Sequence, residues 1–358
     1  MAAKRYSFVD HYRGWAVVVM IETHSVNAWL LESLRGTSWF SLLNQINGLV
    51  APSFLFISGV SFSILVSRKF ESLSRFTPDF FQLLRRYAWI WILGYLLHLP
   101  RVRWTGWKPA IVTGDLAGFY QADILQAIAL SLIFLLLLCV LLRERWRFYA
   151  GVSVLAAGAL VATPFLWSVD FSQTLHPFFA NYLNGLHNPL FPLFPWAIFS
   201  WAGALAGAWF LQAAAKEEDD LCMAEIFGCG IVLFAAGMVL RKTQLIPHYN
   251  FWLDSPEWMM MRIGMVFALF VLFWRLEHRG VTGASPVLSV GKESLFAYVF
   301  HLVCIYWITG EKSGLPLLGY RTNSPALTAA LYAALLTLTF AMTRLWVLIR
   351  RRPAAAKK

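Results

Sequence analysis

Long apolar runs separated by short polar punctuation dominate the chain. About ten stretches are long enough, at roughly 18–25 residues, to cross the ~30 Å hydrocarbon layer as helices. They are Trp15–Leu31, Ile46–Val66, Phe80–Leu99, Ala122–Leu142, Phe148–Ser168, Phe191–Leu211, Met223–Leu240, Trp258–Trp274, Leu288–Ile308 and Ala326–Leu348. The runs are continuous rather than alternating with period two, which excludes a transmembrane β-barrel. The predicted fold is therefore all-α: a polytopic transmembrane helical bundle of about ten helices. It is predicted as a single domain over residues 1–352, followed by a disordered tail at 353–358. An even number of crossings puts both termini on the same side.

Composition agrees with this picture. The chain has 358 residues, 59% of them hydrophobic and only 14% charged, against roughly 25% charged in soluble domains. No soluble domain is expected beside the spans. Loops 100–121 and 169–190 are predicted outside, and 67–79 inside. The acidic run Glu217-Glu218-Asp219-Asp220 reads as a solvated turn. With the N-terminus in the cytoplasm, roughly two thirds of the Lys and Arg fall on the cytoplasmic side, as the positive-inside rule requires. Both termini are thus predicted to be cytoplasmic. The net charge of +11 reflects this bias and attraction to anionic lipid, so no nucleic-acid partner is expected. The first span carries Glu22 and His24 and lacks a small-x-small cleavage site, so it is expected to stay as a helix. The four cysteines form no C-x-x-C pair, and neither a disulfide frame nor a metal site is predicted.

Candidate chemistry lies inside the spans. An ionisable side chain at mid-bilayer costs about 2.5–3.5 kcal/mol on insertion scales, so each invites a functional reading. At ~100° per residue, Asp10, Arg13 and His24 share one side of the first helix, with His24 roughly 16 Å beyond Arg13, while Glu22 points elsewhere. An arginine can hold a phosphate through its forked donors, and a histidine can take a proton from an amine or hydroxyl near neutral pH. A coenzyme with phosphates at one end and a thioester at the other would fit such a track. The plainer alternative is a helix-packing histidine and a positive-inside anchor. Further candidates are His98, Asp123 and Gln126 at outer helix ends, His301 with Tyr298 in the ninth span, and Asn44 and Asn47 beside the second. Interhelical hydrogen bonding is the competing explanation for each.

The opening Asp10-His11-Tyr12-Arg13-Gly14-Trp15-Ala16, with Met20 and His24, reads D-x-x-R-G-x-A…M…H. It resembles the first helix of the integral-membrane acyltransferases, particularly the heparan-α-glucosaminide N-acetyltransferase-like group and the related acyltransferase-three family. Four further stretches are similar to motifs of the same group. These are Ala51–Gly59, Ile124-Leu125-Gln126 with Ile128, Phe194-Pro195-Trp196 with Gly203 and Gly207, and Gly291, Ser294-Leu295, Tyr298 and His301.

The resemblance implies transfer of an acetyl or other acyl group from cytoplasmic acetyl-CoA or another acyl-CoA. The acceptor would be a sugar amine or hydroxyl on the extracytoplasmic side. It makes His24 the working histidine and Arg13 its arginine; with the candidates above, the expected site has His24 and Asp10 in catalysis, Arg13 with Arg85 and Arg86 on the coenzyme phosphates, and His301, Asp123, Gln126, His98 and Asn47 at the acceptor. Its lysosomal members imply a working histidine in the loop after the first helix, where this chain offers Arg35 instead. An acyl-histidine intermediate and direct transfer both stay open. The implied partners are the lipid bilayer, acyl-CoA and a glycan acceptor. A homo-oligomer is left open, and the expected location is the cytoplasmic (inner) membrane. Two other functions fit the same residues: a small-solute transporter using Glu22 and His24 as a proton relay, and a non-catalytic subunit of an envelope-modifying complex.

Overall fold

The computed structural model describes residues 5–99, 102–105, 108–111, 116–187, 190–243, 250–281, 285–308 and 318–351. The tail expected to be disordered, and part of the loop at 100–121, lie outside them. The chain packs as two compact units: Met1–Val50 with Leu272–Lys358, and Ala51–Val271. Among the described residues seven helices are long and apolar enough to cross a membrane, or eight if one bent pair forms a single crossing. The protein is thus a multi-pass membrane protein.

Each run expected to span is mostly helical. The helices are α1 (Ser7–Trp29), α2 (Ser38–Asn47), α3 (Val50–Leu73), α4 (Pro78–Leu97), α5 (Leu116–Phe119), α6 (Ile124–Leu142) and α7 (Arg145–Trp167). They continue with α8 (Pro177–Leu183), α9 (Leu193–Ala214), α10 (Asp219–Thr243), α11 (Pro256–His278), α12 (Pro286–Lys292), α13 (Ser294–Leu302) and α14 (Pro325–Arg351). A short antiparallel ribbon pairs β1 (Val102–Thr105) with β2 (Lys108–Ile111). The helices α1 and α4 are not among the seven. Asp10, Arg13 and Glu22 in one, and Asp79, Arg85 and Arg86 in the other, lower their hydropathy, although both are 20 residues or longer.

The expectation of one continuous crossing over Leu288–Ile308 needs correction. The chain bends there by 92° between α12 and α13. Glu293 leaves helical geometry at φ −111°, ψ 34°, and its carboxylate accepts from Arg350 at 3.0 Å. The polar pair Lys292-Glu293 sits at the break. After α13 the coil widens into a π-helical turn, Val303–Ile308.

In the unit Ala51–Val271, α9 is central: 83% of its apolar window is buried, against 28% for α7 and 22% for α10. Small residues make this possible. A Cβ on Gly59 would run into the Ser200 carbonyl, and one on Gly203 into the Phe56 carbonyl. Backbones of α3 and α9 therefore touch, the usual device where lipid gives no hydrophobic drive between helices. The hydroxyls at this crossing satisfy one another. Ser131 donates to Ser200 at 2.9 Å, Ser200 donates to the Leu55 carbonyl at 3.0 Å, and Ser58 lies 3.1 Å from Ser200. On α7 and α10 large apolar side chains point outward, including Val154 at 73% and Val232 at 66% exposure. In a bilayer that surface faces lipid.

In the other unit α1 packs on α12 through two glycines of the sequence motifs. A Cβ on Gly14 would strike the Val287 carbonyl, and one on Gly291 the Asp10 carbonyl. The C-terminal end of α1 is held by a strand-like strap: Arg321 N–H donates to the Ala28 carbonyl, Asn323 N–H to the Trp29 carbonyl, and Leu31 N–H to the Asn323 carbonyl. Arg35 adds a hydrogen bond of 2.8 Å to the Asn27 carbonyl, and Arg321 Nε one of 3.3 Å. Two cations thus meet the negative end of the helix dipole.

Candidate functional site

The face of α1 carrying Asp10, Arg13 and His24 meets the segment 291–306 in order along the helix. Asp10 is 5% exposed and is flanked by two guanidiniums, Arg5 at 2.6 Å and Arg13 at 3.1 Å. Arg13 also donates to the Gly291 carbonyl at 3.4 Å. The spacing i, i+3 puts Asp10 and Arg13 on adjacent turns, and the close approach permitted by Gly291 brings the carbonyl within reach. Part of the Arg13 donor fork is thus engaged by the protein itself.

Further along α1, His24 reaches α13 and the π turn. Its Nδ1 lies 3.2 Å from the Tyr306 hydroxyl. Its ring lies 5.3 Å from the His301 ring, centroid to centroid. His301 is fully buried, with Nδ1 2.8 Å from the Ala297 carbonyl. A carbonyl only accepts, so Nδ1 carries the proton and Nε2 carries a lone pair. That Nε2 has no hydrogen-bond partner among the described residues. Tyr298 meets the His301 ring edge-on at 5.8 Å. An acceptor nitrogen so buried is costly unless a donor reaches it, and the neighbouring histidine makes this a two-imidazole site able to receive and pass protons.

Tyr306 is the residue that sequence reasoning missed. In a regular α-helix residues five apart point about 140° away from each other. The π turn winds more residues per turn and brings Tyr306 to the His24 side with His301. The aromatic sequence Tyr306-Trp307 reads as an interface belt, and no local signal announces a π turn.

Glu22 looks away from His24. Its carboxyl lies within reach of Asn47, the last residue of α2. Asn47 is 8% exposed, so it stands on the Glu22 side of α1 rather than the His24 side.

The second unit brings three more candidates together. His98 and Asp123, read separately in the sequence, meet with Nε2 3.3 Å from Oδ2. His98 Nδ1 lies 2.9 Å from the Gly94 carbonyl. Asp123 is also the N-cap of α6, where Oδ1 accepts from Ile124 N–H at 2.6 Å. This satisfies one of the orphan amides of a helix start. Gln126, one turn on, is fully buried, and neither of its amide atoms has a partner among the described residues. It packs over Gly94, where a Cβ would overlap the amide oxygen. Beside them Trp91 Nε1 donates to the Tyr182 hydroxyl at 2.9 Å. Arg85 and Arg86 lie exposed on α4.

Two carboxylates outside the spans are tuned by their neighbours. Asp170, in the loop after α7, is pulled down to about 2 by hydrogen bonds from Ser172 and His187. Asp79, opening α4, is lowered by the Lys69 ammonium at 2.8 Å and the Ser72 hydroxyl. Among the described residues no group of three His, Cys, Asp or Glu side chains is placed to hold a metal ion.

The family model described as "Heparan-alpha-glucosaminide N-acetyltransferase, catalytic" matches residues 5–238. The chain belongs to this family. No curated protein matches it. The matched segment of this heparan-α-glucosaminide N-acetyltransferase family member contains Asp10, Arg13, His24, Asn47, Arg85, Arg86, His98, Asp123 and Gln126. His301 and Tyr306 lie beyond it, so tertiary packing, not the family match, associates them with His24.

Proposed function

We propose that this protein is a membrane acyltransferase moving an acetyl group, or another acyl group, from cytoplasmic acyl-CoA to a sugar amine or hydroxyl on the far side. The observation that carries this reading is the His24–Tyr306–His301 cluster on the motif helix of an N-acetyltransferase family. About ten crossings with both termini in the cytoplasm complete the proposal, supported by the positive-inside bias. The inner membrane is the proposed location.

His24 acts as general base. The Tyr306 hydroxyl, 3.2 Å from Nδ1, orients the His24 imidazole for this role. The acceptor amine or hydroxyl then attacks the thioester carbonyl carbon and gives its proton to His24. The new C–N or C–O bond forms, the C–S bond breaks, and the proton passes to the departing thiolate. His301 Nε2, the partnerless lone pair nearby, holds a donor group of the acceptor. Arg13, oriented by Asp10, is the proposed contact for a phosphate of the coenzyme. Exposed Arg85 and Arg86 are available to a cytoplasmic anion. His98, Asp123, Gln126 and Asn47 remain proposed acceptor contacts.

Melting of the purified protein with and without acetyl-CoA tests the donor. A ligand at ~100-fold its dissociation constant stabilises the native state by about 2.7 kcal/mol. A clear upward shift in wild type that shrinks in Arg13→Ala supports the track. No shift with any acyl-CoA would remove the enzyme reading in favour of transport.

A further inference from the structure

One cation inside the helical array, Arg262, has no ion-pair partner among the described residues. Arg262, two turns into α11, stands between two indoles: its guanidinium carbon is 4.7 Å from the Trp258 ring and 5.5 Å from the Trp196 ring. Nη1 is fully buried and has no hydrogen-bond acceptor, and Arg262 forms no ion pair among the described residues. Neither of the nearest acids in sequence is paired with it among the described residues. Asp254 accepts from Asn250 N–H at 2.7 Å. Glu257 is 1% exposed, and its Oε2 is buried without a hydrogen-bond partner among the described residues. Five residues from Arg262, it points about 140° away on the helix. The aromatic surface continues outward from the cation: Trp252 meets Trp258 edge-on at 4.7 Å and is 49% exposed. A second arginine, Arg241, lies 4.6 Å over Phe251, which itself meets Trp258 at 5.7 Å.

Indole faces stabilise a guanidinium but do not satisfy its in-plane N–H donors. A partly buried guanidinium whose buried Nη1 donors are unfilled is poor design for a purely structural group. It is suitable design for an oxyanion that arrives from outside and pairs with the fork. We propose that Arg262, with Trp196, Trp258 and Trp252, forms a binding site for a single oxyanion group, a carboxylate or phosphate, whose attached carbon skeleton lies against Trp252. Two sources carry that chemistry: an acidic sugar from solution, or the phosphate of an anionic lipid. The site lies where α9 and α11 begin, in the unit that does not contain His24, and it stands whether or not the chain transfers acyl groups.

The test uses the full chain in an uncharged detergent, followed by thermal unfolding. Methyl glucuronide is titrated against methyl glucoside, and short-chain phosphatidylglycerol against short-chain phosphatidylcholine. Wild type should show a saturable upward shift with at least one charged probe and none with its uncharged or zwitterionic counterpart. Arg262→Gln should abolish the shift. A glucuronide response identifies a sugar acid, and a phosphatidylglycerol response identifies a lipid. Because Arg262→Gln disturbs a buried position, Trp252→Ala provides a second reading at an exposed one. It should leave the unliganded melting point near wild type and weaken binding about ten-fold, in the range expected for one aromatic contact of roughly 1–2 kcal/mol. The site is overturned by no charge-dependent shift in wild type, or by an equal shift in well-folded Arg262→Gln. An acyl-CoA shift that persists in both variants keeps this result separate from the fate of the acyltransfer reading.

Discussion

His24 and Tyr306, 282 positions apart in the chain, meet at 3.2 Å from ring nitrogen to hydroxyl. The contact ties the motif helix α1 to the π turn after α13, beside a histidine whose Nε2 is buried without a partner among the described residues. It assigns a role that can be separated from folding. His24→Ala should lower acetyl transfer by about 10²–10⁴-fold, the span of general-base contributions. Tyr306→Phe keeps the ring and removes only the hydroxyl, so it should lower turnover less and move the pH–rate profile. Both variants should retain the melting shift with acetyl-CoA. Unchanged turnover in His24→Ala would end the assignment.

The glycines at the α1–α12 contact should be intolerant of one methyl group. Gly291→Ala and Gly14→Ala force backbone apart, and overpacking typically costs about 1–3 kcal/mol. Gly158 in α7 has open space where its Cβ would stand, so Gly158→Ala should be neutral or slightly stabilising. Melting of the three variants side by side in detergent checks this. Equal tolerance at all three sites would mean the helices separate freely.

Loss of the cations at the end of α1 should loosen the strap. Arg35→Ala and Arg321→Ala each remove hydrogen bonds to the Asn27 carbonyl. Each should cost about 0.3–1 kcal/mol, rising towards ~2 kcal/mol where the site is partly buried. Faster amide exchange at Leu31 and Asn323, whose backbones pair, would report it. Exchange unchanged in the double variant would contradict the capping role.

Asp123 does two jobs that substitution can divide. Asp123→Asn keeps an acceptor for Ile124 N–H and loses the charge facing His98. Asp123→Ala loses both and should cost about 1 kcal/mol as a cap. If His98–Asp123 serves the acceptor, the two variants should lose activity alike while only the alanine loses stability. Parallel losses of stability and activity would mark the aspartate as structural alone.

The depressed carboxylate of Asp170 gives a pH signature. Its folded value of about 2 lies below the ordinary 3.8, so its contribution is fully present above that ordinary value. It is lost as pH falls from there through about 2. Carbon-13 titration of the Asp170 carboxyl should show a midpoint near 2 in wild type and a rise towards the ordinary value in Ser172→Ala and His187→Ala. A wild-type midpoint at the ordinary value would show that these hydrogen bonds do not form in solution.

Continuous apolar runs located the long helices that carry candidate residues, because crossing lipid demands such runs, but not the short α2, which carries Asn47. Sequence periodicity put Asp10, Arg13 and His24 on one face of α1 and sent Glu22 elsewhere, since positions within one helix follow from ~100° per residue. It failed at the ninth run, where hydropathy cannot register a 92° bend between two apolar halves. It also failed at every contact between helices. The pairing of His98 with Asp123, the meeting of His24 with His301 and Tyr306, and the indole pair around Arg262 depend on which helices touch and at what depth. Those are set by small residues such as Gly14, Gly94 and Gly291, where a missing Cβ lets side chains or backbones approach. Lipid makes helices out of such a sequence whatever their order, but only close packing between distant segments decides which polar groups face one another.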